Sequence, residues 1–283
     1  MKRSDLAPLA LNLSVQHALA ALSARVHTPL HAPSRVTFEI VEVCNLKCLH
    51  CAVWTRRRSP DAMTLEEWLE HLHALRRWIG PFALGFCSGE PLLAREFLPL
   101  VAEASRLGVL TTCVTNGTLI DQETAARVAA AGLDSMIFSL DGLLPETHDF
   151  SRGVPGTHAK VVESIAIMQR LGGPSLKLAT LINSRNLSEL PGLVRWAAGR
   201  GLAGVSFQAL RPYGDDWKRL WPEPAAARAA VEQLRELKAD GWPVLNSDGQ
   251  LLAMARYFEE PEAAFPDETC NTFTHWNVKA DGN

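Results

Sequence analysis

RVTFEIVEVCNLKCLHC, residues 35–51, runs from an extended apolar stretch straight into three cysteines. Valine, isoleucine, threonine and phenylalanine dominate its first half, a composition that suits a pleated strand packed on both faces. The same kind of run recurs down the chain. FALGFC (82–87), VLTTCVT (109–115), DSMIFSLD (134–141), SLKLATLI (175–182) and GVSFQAL (204–210) read as strands. Between them, 63–79, 95–108, 121–132, 157–173 and 187–201 carry apolar residues at helical spacing, and Thr64 with Glu67 forms a capping box at the start of the first. Nearly continuous apolar strands that alternate with helices predict a parallel sheet covered by helices. Six such units suit either an open doubly wound sheet or a partial TIM-like barrel.

The flanks differ from this middle. Residues 1–35 begin with basic residues, but Ser14, Gln16 and His17 interrupt any signal-like apolar core, so the segment reads as a leading helix. No stretch approaches the ~18 consecutive apolar residues of a membrane span. The net charge of −3 gives no sign of a nucleic-acid or anionic-membrane partner. The Arg56-Arg57-Arg58 run reads as a solvated loop rather than a phosphate site. Six cysteines in 283 residues, with ample apolar material for a core, do not read as a disulfide framework, and a cytoplasmic protein with a metal loop is expected. After residue 210, Pro212, Pro222 and Pro224 break the alternation; a helix at 225–240, a short WPVLN strand and a helix at 248–259 follow. The expected organisation is therefore a helical segment 1–35, a core 36–212 and an extension 213–283.

In parallel α/β folds, functional groups collect just after the C-terminal ends of the strands. The cysteine loop follows the first strand, CSGEP (87–91) the second, TNG (115–117) the third, and SLDG (139–142) closes the fourth. All four motifs thus fall at one rim. Cys87 and Cys113 lie in apolar strands and read as ordinary core thiols. Cys44, Cys48 and Cys51 need another explanation. Zinc would require a fourth ligand, and His50 beside Cys51 is badly placed to close a tetrahedron. An iron–sulfur cluster usually takes four thiolates, so three would leave one iron with an open position.

CNLKCLHC fits the CxxxCxxC signature of the radical S-adenosylmethionine (radical SAM) superfamily, and the later motifs follow in that family's order over residues 36 to about 210. The resemblance implies a partial (β/α)6 TIM-like barrel with parallel strands plus a small C-terminal α+β extension. It implies that Cys44, Cys48 and Cys51 hold a [4Fe–4S] cluster whose open iron chelates S-adenosylmethionine. Reductive cleavage would then give a 5′-deoxyadenosyl radical that abstracts hydrogen from a substrate. SGEP resembles the family's GGEP motif, with Ser88 in place of the first glycine. By that likeness Ser88, Gly89 and Glu90 receive the methionyl ammonium, Asn116, Ser139 and Asp141 contact ribose and carboxylate, and Arg152 pairs with the carboxylate. His50 takes the position before the third cysteine that is usually aromatic and lies near the adenine. No residue is assigned as the catalytic acid or base.

The tail around Cys270, Trp276, Val278 and Asp281-Gly282 resembles the opening of a SPASM or twitch extension. That likeness implies a small hairpin, and an auxiliary iron–sulfur cluster through Cys270 were the chain to continue. The expected activity is radical chemistry on a small molecule in natural-product biosynthesis; modification of a ribosomal peptide or protein is the alternative. A non-catalytic iron–sulfur or electron-transfer protein is the reading from a different class. The implied partners are a substrate and an external reductant such as flavodoxin or ferredoxin.

Overall fold

The computed structural model describes residues 3–28, 30–211, 216–262 and 275–282. Cys270 lies outside the described residues. Helix α1 (Arg3–Val26) precedes β1 (Arg35–Glu39), after which the alternation sets in. It runs α2 (Leu65–Ile79), β2 (Ala83–Phe86), α3 (Phe97–Arg106), β3 (Leu110–Thr115), α4 (Gln122–Ala131) and β4 (Ser135–Ser139). Two helices, α5 (Pro145–Arg152) and α6 (Thr157–Leu171), lead to β5 (Ser175–Ile182), α7 (Leu190–Gly199) and β6 (Val205–Ala209). Helices α8 (Pro224–Ala239) and α9 (Asp248–Glu259) and strand β7 (His275–Lys279) complete the described chain.

All seven strands are parallel, in the order β6-β5-β4-β3-β2-β1-β7. They form a curled half-barrel, the fold class expected from the sequence. The outer face of the sheet meets the helices through Val36, Phe38, Leu84, Phe86, Met136, Phe138, Leu178 and Phe207, all buried. Trp68 of α2 packs on Phe38 at 4.6 Å between ring centroids, so the apolar stripe of α2 closes on the first strand. The capping box at Thr64 and Glu67 is formed.

Two elements depart from the sequence reading. The sequence reading assigns no element between 141 and 157, where α5 forms, although Pro145 sits in its first turn and Gly153 closes it in the left-handed region, both ordinary boundary signals. Among the described residues, the tail strand pairs with β1 and not within a hairpin. Residues 275–279 extend the main sheet alongside β1, in register from Arg35↔His275 to Glu39↔Lys279, and Met63 N–H donates to the Ala280 carbonyl at 2.7 Å. WPVLN contributes a bridge from Val244 to Val205 at the opposite edge.

Among the described residues, no helix is long and apolar enough to cross a membrane.

Candidate cofactor site

The segment after β1 is held in place by its neighbours. Leu49 N–H donates to the Ser151 carbonyl at 3.0 Å, fastening the cysteine loop to α5. Glu90 N–H donates to the Val43 carbonyl at 3.1 Å, fastening it to the loop after β2. Asn116 Nδ2 donates to Asn45 Oδ1 at 2.8 Å and lies 3.8 Å from Cys44 Sγ, fastening it to the loop after β3. These approaches leave no room for a side chain. A Cβ on Gly89 would lie 2.3 Å from the Val43 carbonyl oxygen, and one on Gly153 2.1 Å from that of Lys47, with both glycines at positive φ. Only glycine fits at either place. Ser88 also has φ of 81°, so serine occupies a backbone conformation that glycine would adopt at less cost.

These loops surround one cavity of about 120 Å³. The three thiols border it together with Ser88, Gly89, Asn116, Ser139, His50 and Arg152. Residues from the rim motifs of all four strands, spread over more than 100 positions of sequence, thus converge. Among the described residues no three His, Cys, Asp or Glu side chains are spaced to hold a single metal ion. A roomier cavity of about 360 Å³ lies at the other end, around Gly172–Leu176 and Gly201–Ala203, and has no titratable side chain in its lining. The site residues expected from the sequence border the smaller one.

The two carboxylates of the rim motifs stand behind the cavity wall. Glu90 is fully buried and already occupied: it accepts from Thr115 Oγ1 at 2.8 Å, Asn116 N–H at 2.7 Å and Leu92 N–H at 3.2 Å. Burial pushes its carboxyl up to about 6 against these donors. Asp141, equally buried, accepts from Arg152 Nη2 at 2.9 Å, Ser151 Oγ at 2.6 Å and Leu181 N–H at 3.0 Å. Burial alone would raise its pKa, but the Arg152 charge and nearby histidines outweigh it and bring it to about 2. Asp141 therefore stays ionised and aims the guanidinium. Arg152 Nε is buried at the cavity without a protein partner, as is Nδ1 of His50. Burial, reinforced by Arg152, lowers His50 to about 4, so the ring is neutral near pH 7. Burial pushes the Cys48 thiol up to about 11 despite Arg152, and it raises Cys44 as well.

Residues suited to a metal cluster and a carboxylate-bearing ligand are thus present. The three thiols and Arg152, whose buried Nε has no hydrogen-bond partner, line the same space.

A family model for the radical SAM superfamily matches residues 38–197, more than half of the chain. The chain belongs to the radical SAM superfamily. The superfamily uses a [4Fe–4S] cluster and S-adenosylmethionine. Among curated relatives, the mycofactocin maturase MftC of Mycobacterium ulcerans (strain Agy99) is 31% identical over 222 residues, covering 77% of this chain and 58% of that protein. An AdoMet-dependent heme synthase of Methanosarcina barkeri (strain Fusaro / DSM 804) is 28% identical, covering 65% of this chain and 52% of that one. This radical SAM chain therefore spans a little over half the length of these relatives. Streptococcus suis SuiB bound to S-adenosylmethionine superposes with a TM-score of 0.72 at 16% identity, over 94% of this chain and 62% of that one. Native anSMEcpe with bound AdoMet gives 0.66 at 18% identity, over 88% and 72%. At these identities the likeness extends to the fold.

Sequence reasoning missed the concave face of the radical SAM half-barrel. Strands read as nearly all apolar and buried on both faces in fact alternate, half-buried inside and buried outside, as in β2 and β5. Register places Thr37, Gly85, Thr112 and Ser135 on one row of that inner face, and Val114, Ile137 and Lys177 on the next. Glu39 lies on it too, and neither Glu39 nor Lys177 has an ion-pair partner among the described residues. The period-2 placement of Arg35, Thr37 and Glu39 within RVTFE was the available signal. Cys113 is buried in the core, as expected, but Cys87 is not a core thiol: it directly follows β2, is only partly buried and borders the cavity.

Proposed function

We propose that this chain is the catalytic core of a radical SAM enzyme acting on a peptide or protein substrate. Three thiols and an arginine with a free Nε around one cavity carry this reading. In it Cys44, Cys48 and Cys51 hold the cluster. Arg152, braced by Asp141, pairs with the carboxylate of S-adenosylmethionine, a task suited to a fixed guanidinium. Ser88 and Gly89 offer backbone carbonyls to its ammonium group, Asn116 and Ser139 offer polar atoms to its ribose, and the neutral His50 ring lies against its adenine. Glu90 braces the loop after β3 from behind rather than touching the cofactor. When bound, the reduced cluster supplies the electron that cleaves S-adenosylmethionine to a 5′-deoxyadenosyl radical able to take hydrogen from substrate.

Maturases and a PqqA peptide cyclase among the relatives, and a precursor-peptide complex among the fold neighbours, support the peptide class over the small molecule that the sequence reading put first. The heme synthases support a small molecule as the second reading. An external one-electron donor is required in either case. The test is anaerobic incubation with S-adenosylmethionine and dithionite. Release of 5′-deoxyadenosine supports an enzyme, whereas a bound cluster with no cleavage supports the electron-transfer class.

A further inference from the structure

The arginine run beside the cysteine loop has no role in the site described above. From residue 45 to 61 the charged residues are Lys47, Arg56, Arg57, Arg58 and Asp61, four cations to one carboxylate in a chain whose net charge is −3. All are exposed. Arg58 and Arg95, with side chains 51% and 82% exposed, both donate at 3.0 Å to Oε1 of buried Glu96, which draws Arg95 into the same patch and neutralises only one charge. The patch sits close to the three thiols. Lys47 directly precedes Cys48, and Arg56 follows Cys51 by five residues, at most about 18 Å along the chain. The intervening Val53–Thr55 segment is a 3-10 turn, which shortens that distance, and half-exposed Trp54 within it borders the cavity mouth.

We infer that this basic face is the docking surface for an acidic one-electron donor protein. The inference rests on the proposed cluster at Cys44, Cys48 and Cys51, because a donor must bring its redox centre near the group it reduces. Complementary charge speeds that encounter and orients it. The step itself is balanced: the donor is oxidised by one electron and the cluster is reduced by one. Five cations, with Arg95 included, outnumber the three neighbouring carboxylates, Asp61, Glu96 and Glu42, the last accepting from Ser59 N–H at 3.1 Å. Such an excess of exposed charge suits a transient partner, since it steers association without a large buried interface.

The experiment uses the reconstituted protein and a bacterial flavodoxin of acidic isoelectric point. Dissociation constants are measured at low and high ionic strength for the wild type, an Arg56→Glu/Arg57→Glu variant, an Arg56→Gln/Arg57→Gln variant and an Arg127→Glu/Arg170→Glu control on exposed positions of α4 and α6. We expect tenfold or more weakening in the charge-reversed variant and a smaller loss in the neutral one. Less than twofold change is expected in the control, and wild-type binding should weaken with salt. Flavodoxin-supported 5′-deoxyadenosine release should fall in step while dithionite-supported release is unchanged. Equal binding by all variants, equal loss in the control, or a polyglutamate peptide that competes as well as flavodoxin would overturn the inference. Failure of dithionite-supported cleavage in the wild type would instead count against the proposed enzyme.

Discussion

Arg152 and Asp141 form a buried pair in which each charge is tolerable only because of the other. Nη2 of Arg152 is bonded to Asp141, and Nε is buried without a hydrogen-bond partner in a residue that lines the cavity. Arg152→Ala should therefore weaken S-adenosylmethionine binding by on the order of 2–5 kcal/mol while leaving the iron content unchanged, because it removes a charge partner and no thiol. Equilibrium binding to the reconstituted variant checks this, and unchanged affinity would return Arg152 to a purely structural role. His148 sits in the same network, with its Nδ1 accepting from Asp141 N–H at 3.1 Å. Burial, then the Arg152 charge, lowers its pKa from 6.5 to about 4. The folded state thus holds His148 neutral where the unfolded chain would take up a proton. Its contribution to stability is present above pH 6.5 and is lost between about 6.5 and 4, at up to ~1.4 kcal/mol per pH unit. His148→Gln, which keeps an acceptor for Asp141 N–H, should flatten the acid side of the stability profile measured by urea unfolding; identical slopes would contradict this assignment.

At the scale of single elements, local signals were legible where they were local. The capping box of α2 is an example: Thr64 Oγ1 accepts from Glu67 N–H at 3.3 Å and Glu67 Oε2 accepts from Thr64 N–H at 2.7 Å. Thr64→Ala should cost about 1 kcal/mol, read as a lower urea midpoint at unchanged m. The four rim motifs were legible for the same reason, since each lies just after a strand that its own residues specify. Other features depended on partners far away in sequence. Glu90 and Asp141, expected from the resemblance as cofactor contacts, also accept hydrogen bonds from Thr115, Asn116, Ser151 and Arg152, partners that their own motifs do not announce. The alternation within RVTFE and SLKLATLI was visible, but its meaning required knowing that the sheet curls and leaves its inner face half open. A local sequence carries no curvature.

The whole molecule shows the largest gap between sequence and structure at its end. HWNVK has no cue that selects β1, more than 230 residues earlier, over a hairpin partner. The pairing is set by the open edge of β1 and by contacts such as His275 Nε2 with Thr37 Oγ1 at 2.6 Å. Conversely, the βα alternation specified a parallel sheet covered by helices, because nearly continuous apolar strands call for cover on both faces; the choice of a half-barrel over an open doubly wound sheet came only with the family resemblance. That scaffold gathers the thiols, the Arg152 edge and the basic loop at one rim. The central claim is that Cys44, Cys48 and Cys51 together hold a four-iron cluster. The most direct measurement is the iron content and visible absorbance after anaerobic reconstitution, for the wild type and for the variant with all three cysteines changed to alanine. The wild type should hold about four irons per chain and a brown chromophore, and the triple variant should lose both. A triple variant that keeps a full cluster would contradict it.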